Sequence, residues 1–158
     1  MARRDLRDEL HGQVRRTIME GARCALGGHE IDGPGNFYAP TVMEGVEPGM
    51  TAFEQETFGP VAAITVARDA EHAISLANAS EYGLSGTLWT ADLDRAHALA
   101  RRLQAGGVFI NGFSASDPRV PIGGVRRSGY GRELSHFGIR EFQNAQTVWV
   151  RPSPSHNG

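Results

Sequence analysis

The chain has 158 residues, the length of one ordinary domain, and its composition (40% apolar, 22% charged) excludes a disordered chain. A net charge of -2 gives no electrostatic attraction to nucleic acid, so no nucleic-acid partner is expected. The longest apolar run is too short to cross a bilayer, and a lone cysteine, Cys24, fits a reducing compartment, so we expect a cytoplasmic protein with no membrane partner.

The first twenty residues have a helical pattern. Four apolar side chains recur every four residues: Leu6, Leu10, Val14 and Ile18. This spacing predicts an amphipathic helix that stops at Gly21. Glycines and prolines then bracket one extended piece, NFYAPTV (36–42), which predicts loops and brief strands.

The next segment, FEQETFGPV (53–61), places two carboxylates, Glu54 and Glu56, ahead of an aromatic residue and a Gly-Pro corner. A carboxylate is a strong acceptor that suits a pair of sugar hydroxyls, and each charged hydrogen bond contributes about 1.5–3 kcal/mol. From the residues alone, a glutamate that caps a turn is the favoured interpretation.

Strands and helices alternate from residue 61 onward. Three apolar runs predict strands: VAAITVA (61–67), LSGTLWT (84–90) and GVFIN (107–111). The first run is uninterrupted, which is typical of a strand covered on both faces. This order predicts an α/β fold of parallel strands joined by right-handed crossover helices.

Two helices are expected between these strands. Asp69 can cap a helix that runs to about Ser80, and Thr90 or Asp92 can cap a second one. The apolar face of the second helix is formed by Leu93, Ala96, Leu99 and Leu103.

The sequence contains none of the usual catalytic or phosphate-binding motifs. The first strand-to-helix turn is ARDAEH rather than a G-x-G-x-x-G fingerprint, and the later GGVRRSGYGRE lacks the Walker spacing. The six histidines are too scattered for a metal motif, and Cys24 has no base near it in the sequence. We therefore assign no catalytic residue and no metal site.

The last third of the chain begins with a stretch of small residues, prolines and glycines at 112–131, and such long loops are often functional. Beyond it, Leu134, Phe137 and Phe142 can form an apolar side. A final strand, TVWV (147–150), is expected before a polar tail.

Several of these segments, in this order, resemble the C-terminal part of the NAD(P)-dependent aldehyde dehydrogenase superfamily. They are ETFGPV, ANASEYGLSGTLWT, AGGVFINGF, PIGGVRRSGYGRELSHFGIREF and QTVWV. The resemblance covers nearly the whole chain. Within the superfamily, NGFSASDPRVPIGGVRRSGYGRELSHFG is most similar to bacterial succinate-semialdehyde dehydrogenases.

The resemblance implies a division of the chain. Residues 1–146 would be a partial catalytic domain, 147–151 an oligomerisation strand in a homo-oligomer, and 152–158 a flexible tail. It also implies a missing N-terminal portion that holds the nucleophilic cysteine, the general base and most of the cofactor cradle. The chain is therefore not expected to turn over substrate alone.

The resemblance also implies roles for five residues in binding NAD or NADP and a small aldehyde. Glu56 would hold the nicotinamide ribose, Phe58 would lie beside the nicotinamide ring, and Leu84 would pack near it, although a strand leucine could equally be core. Ser116 would place a hydroxyl near a substrate carboxylate, although a solvent-facing serine is as valid. Ile122 stands in the aldehyde channel where many relatives have phenylalanine.

The sequence leaves two questions open, namely the role of Arg119 and whether the chain belongs to a working enzyme. Arg119 is a second candidate for the substrate carboxylate, without a motif behind it. The chain could be part of a working dehydrogenase, or it could be a non-catalytic remnant or assembly module of the same fold.

Overall fold

A computed structural model describes residues 1–151, and the predicted flexible tail at 152–158 lies outside them. The helices are α1 (Arg4–Met19), α2 (Thr51–Glu54), α3 (Ala70–Ala79), α4 (Leu93–Ala100) and α5 (Ser135–Glu141), with a 3-10 turn at Arg126–Ser128. The strands are β1 (Arg23–Leu26), β2 (Thr41–Glu44), β3 (Val61–Ile64), β4 (Ser85–Leu88) and β5 (Gly107–Ile110). No helix within the described range is both long and apolar enough to cross a membrane.

The strands form two separate sheets. In the first, β2 lies between β1 and β3, antiparallel to β1 and parallel to β3. In the second, β4 and β5 pair in parallel, with Ser85 opposite Gly107. The α/β class with parallel strands and connecting helices is as predicted.

The partner of β3 differs from the expected arrangement. The three strands after residue 60 do not share one layer, because β3 pairs with β2 and α3 carries the chain to the other sheet. Hydrogen bonds at both ends hold β3 to β2: Thr41 N donates to Pro60 O at 2.8 Å, and Val46 N donates to Ile64 O at 3.1 Å. A local pattern of apolar residues marks a strand but does not select its partner.

The main core lies between α1 and the three-stranded sheet. Its buried members are Leu10, Val14, Ala22, Tyr38, Met43 and Val46. On α1 the buried positions are 10, 13, 14 and 17, whereas Ile18 of the predicted stripe is 39% exposed. A strict four-residue spacing rotates by about 40° per step around a helix, so its last member leaves the core face.

Both predicted caps of the middle helices are present. The Asp69 carboxylate accepts from His72 N at 2.8 Å, and the Asp92 carboxylate accepts from Arg95 N at 2.9 Å. Of the two candidates for α4, Asp92 is the cap, and the Thr90 hydroxyl oxygen accepts from Asp92 N at 3.1 Å instead. The helix ends at Ala100, before Leu103.

Three predicted apolar surfaces are not covered by the described residues. Three of the four residues of β3 are exposed, although its sequence predicts cover on both faces. Phe142 is also exposed, beyond the end of α5. The TVWV segment forms no strand, and Trp149 is 84% exposed. A strand requires a neighbouring backbone, and none of the described segments lies against this one. The oligomerisation strand at 147–151 stays a prediction.

Candidate functional site

Glu56 lies in the short connection between α2 and β3. Its side chain is exposed, and its carboxylate makes no hydrogen bond or ion pair with any residue of 1–151. Glu56 lines two clefts, one of about 480 Å³ and one of about 660 Å³. The structure therefore presents an available carboxylate acceptor at the wall of two open clefts.

Two other predicted site residues lie in these clefts. Phe58 shares the 480 Å³ cleft with Glu56 and is 72% exposed. Leu84, directly before β4, shares the 660 Å³ cleft with Glu56. Leu84 is 51% exposed, so it is not packed in the core of this chain. Phe58 and Leu84 thus each present an apolar side chain to a cleft that Glu56 also lines.

The predicted substrate residues lie further along the chain in a different setting. Ile122 is half-buried and shares a third cleft, of about 620 Å³, with Leu84. Ser116 is exposed and does not line any of these three clefts. The structure therefore connects Ile122 to the Glu56 region through Leu84, but it does not bring Ser116 there.

Arg119 has a partner of its own. Its guanidinium donates to both oxygens of Asp117, at 2.9 and 2.6 Å, and this hydrogen bonding lowers the pKa of the Asp117 carboxyl. An arginine already paired to a carboxylate two residues away is a poorer candidate for a second carboxylate.

Sequence reasoning missed three polar or aromatic residues beside Glu56. Tyr82 and Arg127 line both of its clefts, and Gln13 lines the smaller one. Arg127 donates to a carboxylate oxygen of Glu81 at 2.6 Å, and its guanidinium lies 5.7 Å from the centre of the Tyr82 ring. The hydrogen bond to Glu81 raises the pKa of Arg127. Tyr82 and Arg127 lie in two of the segments that carry the family resemblance, but these residues are distant in sequence from Glu56, so only the fold brings them together with it.

The residue types in the Glu56 clefts are compatible with a nicotinamide nucleotide. An unpartnered carboxylate can accept hydrogen bonds from the two hydroxyls of a ribose, and an aromatic side chain offers a flat apolar surface to a ring. No group of three metal-ligating side chains is found among residues 1–151.

Cys24 does not belong to this site. It lies on β1, where its thiol donates to Leu26 O at 3.3 Å, and it lines neither of the clefts that contain Glu56. The described part of the chain therefore places no cysteine thiol beside the candidate site.

Comparison with known proteins gives the family. A sequence model of the aldehyde dehydrogenase family matches residues 1–148. A succinate semialdehyde dehydrogenase [NAD(P)+] of Escherichia coli is 63% identical over 149 residues, which cover 94% of this chain and 32% of that protein. The chain therefore belongs to the aldehyde dehydrogenase family, and it spans about a third of the length of this relative.

Solved structures agree with this assignment. An NAD-dependent aldehyde dehydrogenase from Sinorhizobium meliloti superposes with a TM-score of 0.93 at 39% identity, covering 99% of this chain and 32% of that one. A succinic semialdehyde dehydrogenase from Streptococcus pyogenes, solved with NADP+, superposes with a TM-score of 0.91 at 36% identity, covering 96% of this chain and 33% of that one. The predicted family and fold class are confirmed.

Proposed function

We propose that this chain forms the C-terminal third of an NAD(P)+-dependent aldehyde dehydrogenase and supplies its nicotinamide-ribose anchor and part of its aldehyde channel. The observation that carries the proposal is the carboxylate of Glu56, which has no partner within residues 1–151 and lines two clefts. Bound NAD(P)+ supplies the hydride acceptor for oxidation of the aldehyde.

Each side chain of the Glu56 region has a separate task in this proposal. Glu56 accepts hydrogen bonds from the ribose hydroxyls and thereby sets the position of the nicotinamide. Phe58 and Leu84 limit the tilt of the nicotinamide ring by apolar contact. Both side chains are exposed and line clefts that Glu56 also lines, which supports this role. Such positioning matters because a displacement of about 1 Å can reduce a rate about a hundredfold.

For the substrate we propose succinate semialdehyde. The high identity to the Escherichia coli enzyme supports this choice. Ile122 would line the aldehyde channel, and its position in the cleft that contains Leu84 supports this role. Ser116 would donate its hydroxyl to the substrate carboxylate, a role that rests on family resemblance alone.

The nucleophile and the general base are, in this proposal, supplied by a part of the enzyme outside this chain. The domain division at residues 146 and 151, the homo-oligomeric state and the cytoplasmic location also stay predictions. The many exposed apolar side chains of the described residues are compatible with cover by such further segments.

The test is a substitution in the complete enzyme. Glu56→Gln removes the charge but keeps the shape, so it weakens the hydrogen bonds to the ribose while leaving the cleft intact. We expect hydride transfer in a single turnover to slow by about tenfold to a hundredfold, with a smaller change in the dissociation constant of the cofactor.

Glu54→Gln is the matched control. Glu54 also lines the 480 Å³ cleft, so this variant removes the same charge from the same cleft, but the Glu54 carboxylate accepts from Gly49 N at 2.9 Å and so already has a local partner. Its single-turnover rate should stay within about twofold of the unmodified enzyme. An unchanged rate for Glu56→Gln would remove Glu56 from the site.

A further inference from the structure

Three polar side chains on one side of α1 and its C-terminal cap hold the segment that carries Glu56. Gln13 and Thr17 lie on α1 and Glu20 caps its end, and their spacing of four and three residues aligns them along the helix. Each bonds to a successive part of the chain beyond β2: Glu20 to Thr51, Thr17 to Ala52, and Gln13 to residues 55 and 56.

Gln13 is the member of this row that reaches the site. Its side-chain amide nitrogen donates to the backbone carbonyl of Glu56 at 3.2 Å and to the side-chain oxygen of Gln55 at 3.3 Å. Gln13 is only 6% exposed, whereas Gln55 and Glu56 are exposed. A buried amide therefore anchors an otherwise solvent-facing connection.

The backbone of Gln13 is itself firmly placed. Its neighbour Val14 is fully buried in the main core, and the Thr17 hydroxyl donates to Gln13 O at 2.8 Å. The core thus determines where the amide of Gln13 lies, and the amide determines where the backbone of Glu56 lies. No other side chain within residues 1–151 donates to that carbonyl.

We propose that Gln13 is a positioning residue for Glu56, which holds the backbone of that glutamate so that its carboxylate meets the ribose hydroxyls. This inference rests on the proposed function of Glu56. Gln13 touches neither the cofactor nor the substrate in this proposal, because its donor atom is used on the protein side of the connection.

The first experiment uses the isolated chain without cofactor. Gln13→Met keeps the length and approximate volume of the side chain but removes the donor. We expect backbone amide hydrogen exchange at Gln55, whose N–H donates to Thr51 O at 2.9 Å beside the lost contacts, to speed up by about tenfold. Thr41→Val is the matched control, since it removes a buried hydroxyl outside this row that accepts from Gly28 N at 2.9 Å, and it should speed exchange at residue 28 instead.

The second experiment uses the complete enzyme. We expect Gln13→Met to slow single-turnover hydride transfer by about tenfold or more, while Thr41→Val lowers the melting temperature similarly but leaves that rate within about twofold. If Gln13→Met does not fold, Gln13→Asn retains an amide but shortens the reach by about 1.5 Å, and it should show the same loss of rate in weaker form.

A double substitution separates the two proposals. If Gln13 acts through Glu56, Gln13→Met combined with Glu56→Gln will be no slower than Glu56→Gln alone. Rate losses that multiply in the double variant would overturn the positioning role, and so would a normal rate in Gln13→Met. A normal rate in Glu56→Gln would instead overturn the proposed function itself.

Discussion

Glu20 shows how a single exposed side chain joins two elements. It follows the last turn of α1, and its carboxylate accepts from Thr51 N at 2.6 Å and from the Thr51 hydroxyl at 2.8 Å. These bonds, the backbone one first, lower the pKa of the Glu20 carboxyl from its ordinary value of 4.5. Because the folded pKa lies below the unfolded one, Glu20 stabilises the fold above about pH 4.5, and this contribution is lost as the pH falls through the folded pKa.

This linkage gives a pH-dependent prediction. Glu20→Gln should lower the melting temperature of the chain at about pH 7, because the charged acceptor is lost. At about pH 3 the variant and the unmodified chain should melt closer together than at about pH 7, since the contribution of the Glu20 charge declines as the pH falls below the unfolded pKa towards the folded one. Thermal unfolding followed by circular dichroism over this pH range measures the difference.

Glu47→Gln is the control for that experiment, because no described residue bonds to the Glu47 side chain and it lies near the same helix pair. Its melting temperature should equal that of the unmodified chain at every pH tested. A Glu20→Gln difference that is equal at both pH values would contradict the linkage.

At the scale of elements, the helix starts were the most predictable features. Asp69 and Asp92 precede their helices directly and accept from a backbone N–H three residues later, which is a local relation that the sequence displays. The pairing of β3 was not predictable in this way, since its partner β2 lies about twenty residues earlier and across a helix.

The cap of α4 can be tested directly. Asp92→Ala should reduce the free energy of unfolding by about 1 kcal/mol, because it leaves the amide of Arg95 without its acceptor. Asp94→Ala, in the first turn of the same helix, removes an acid that caps nothing and should cost clearly less. Urea unfolding of both variants gives the comparison, and equal losses would show that Asp92 acts only through its charge.

At the scale of the whole molecule, much apolar side-chain surface is exposed to solvent. Large apolar side chains are exposed on several segments, among them Phe58, Phe113, Phe142, Trp149 and Val150. Large apolar side chains exposed to water favour association, because association removes their surface from water. We therefore expect the isolated chain to self-associate, which light scattering across a concentration series would detect.

Trp149→Lys should shift the isolated chain towards smaller species, because it removes a large exposed apolar side chain from the C-terminal segment. Thr147→Lys is its control, since it adds the same charge two residues away by replacing an exposed polar side chain. A monodisperse monomer for the unmodified chain would count against self-association altogether.

Local sequence alone determined α1, α3, α4, the caps of α3 and α4, the strands β3 to β5 and the family, because each depends on residues close together in the chain or on motifs in a fixed order. The candidate carboxylate at position 56 also came from such a motif. Only the tertiary structure decided which strands pair, which apolar faces stay exposed, and that Gln13, Tyr82 and Arg127 lie beside Glu56. These contacts join segments that are roughly 25 to 70 residues apart, and their partners are selected by the packing of the whole chain rather than by any local pattern.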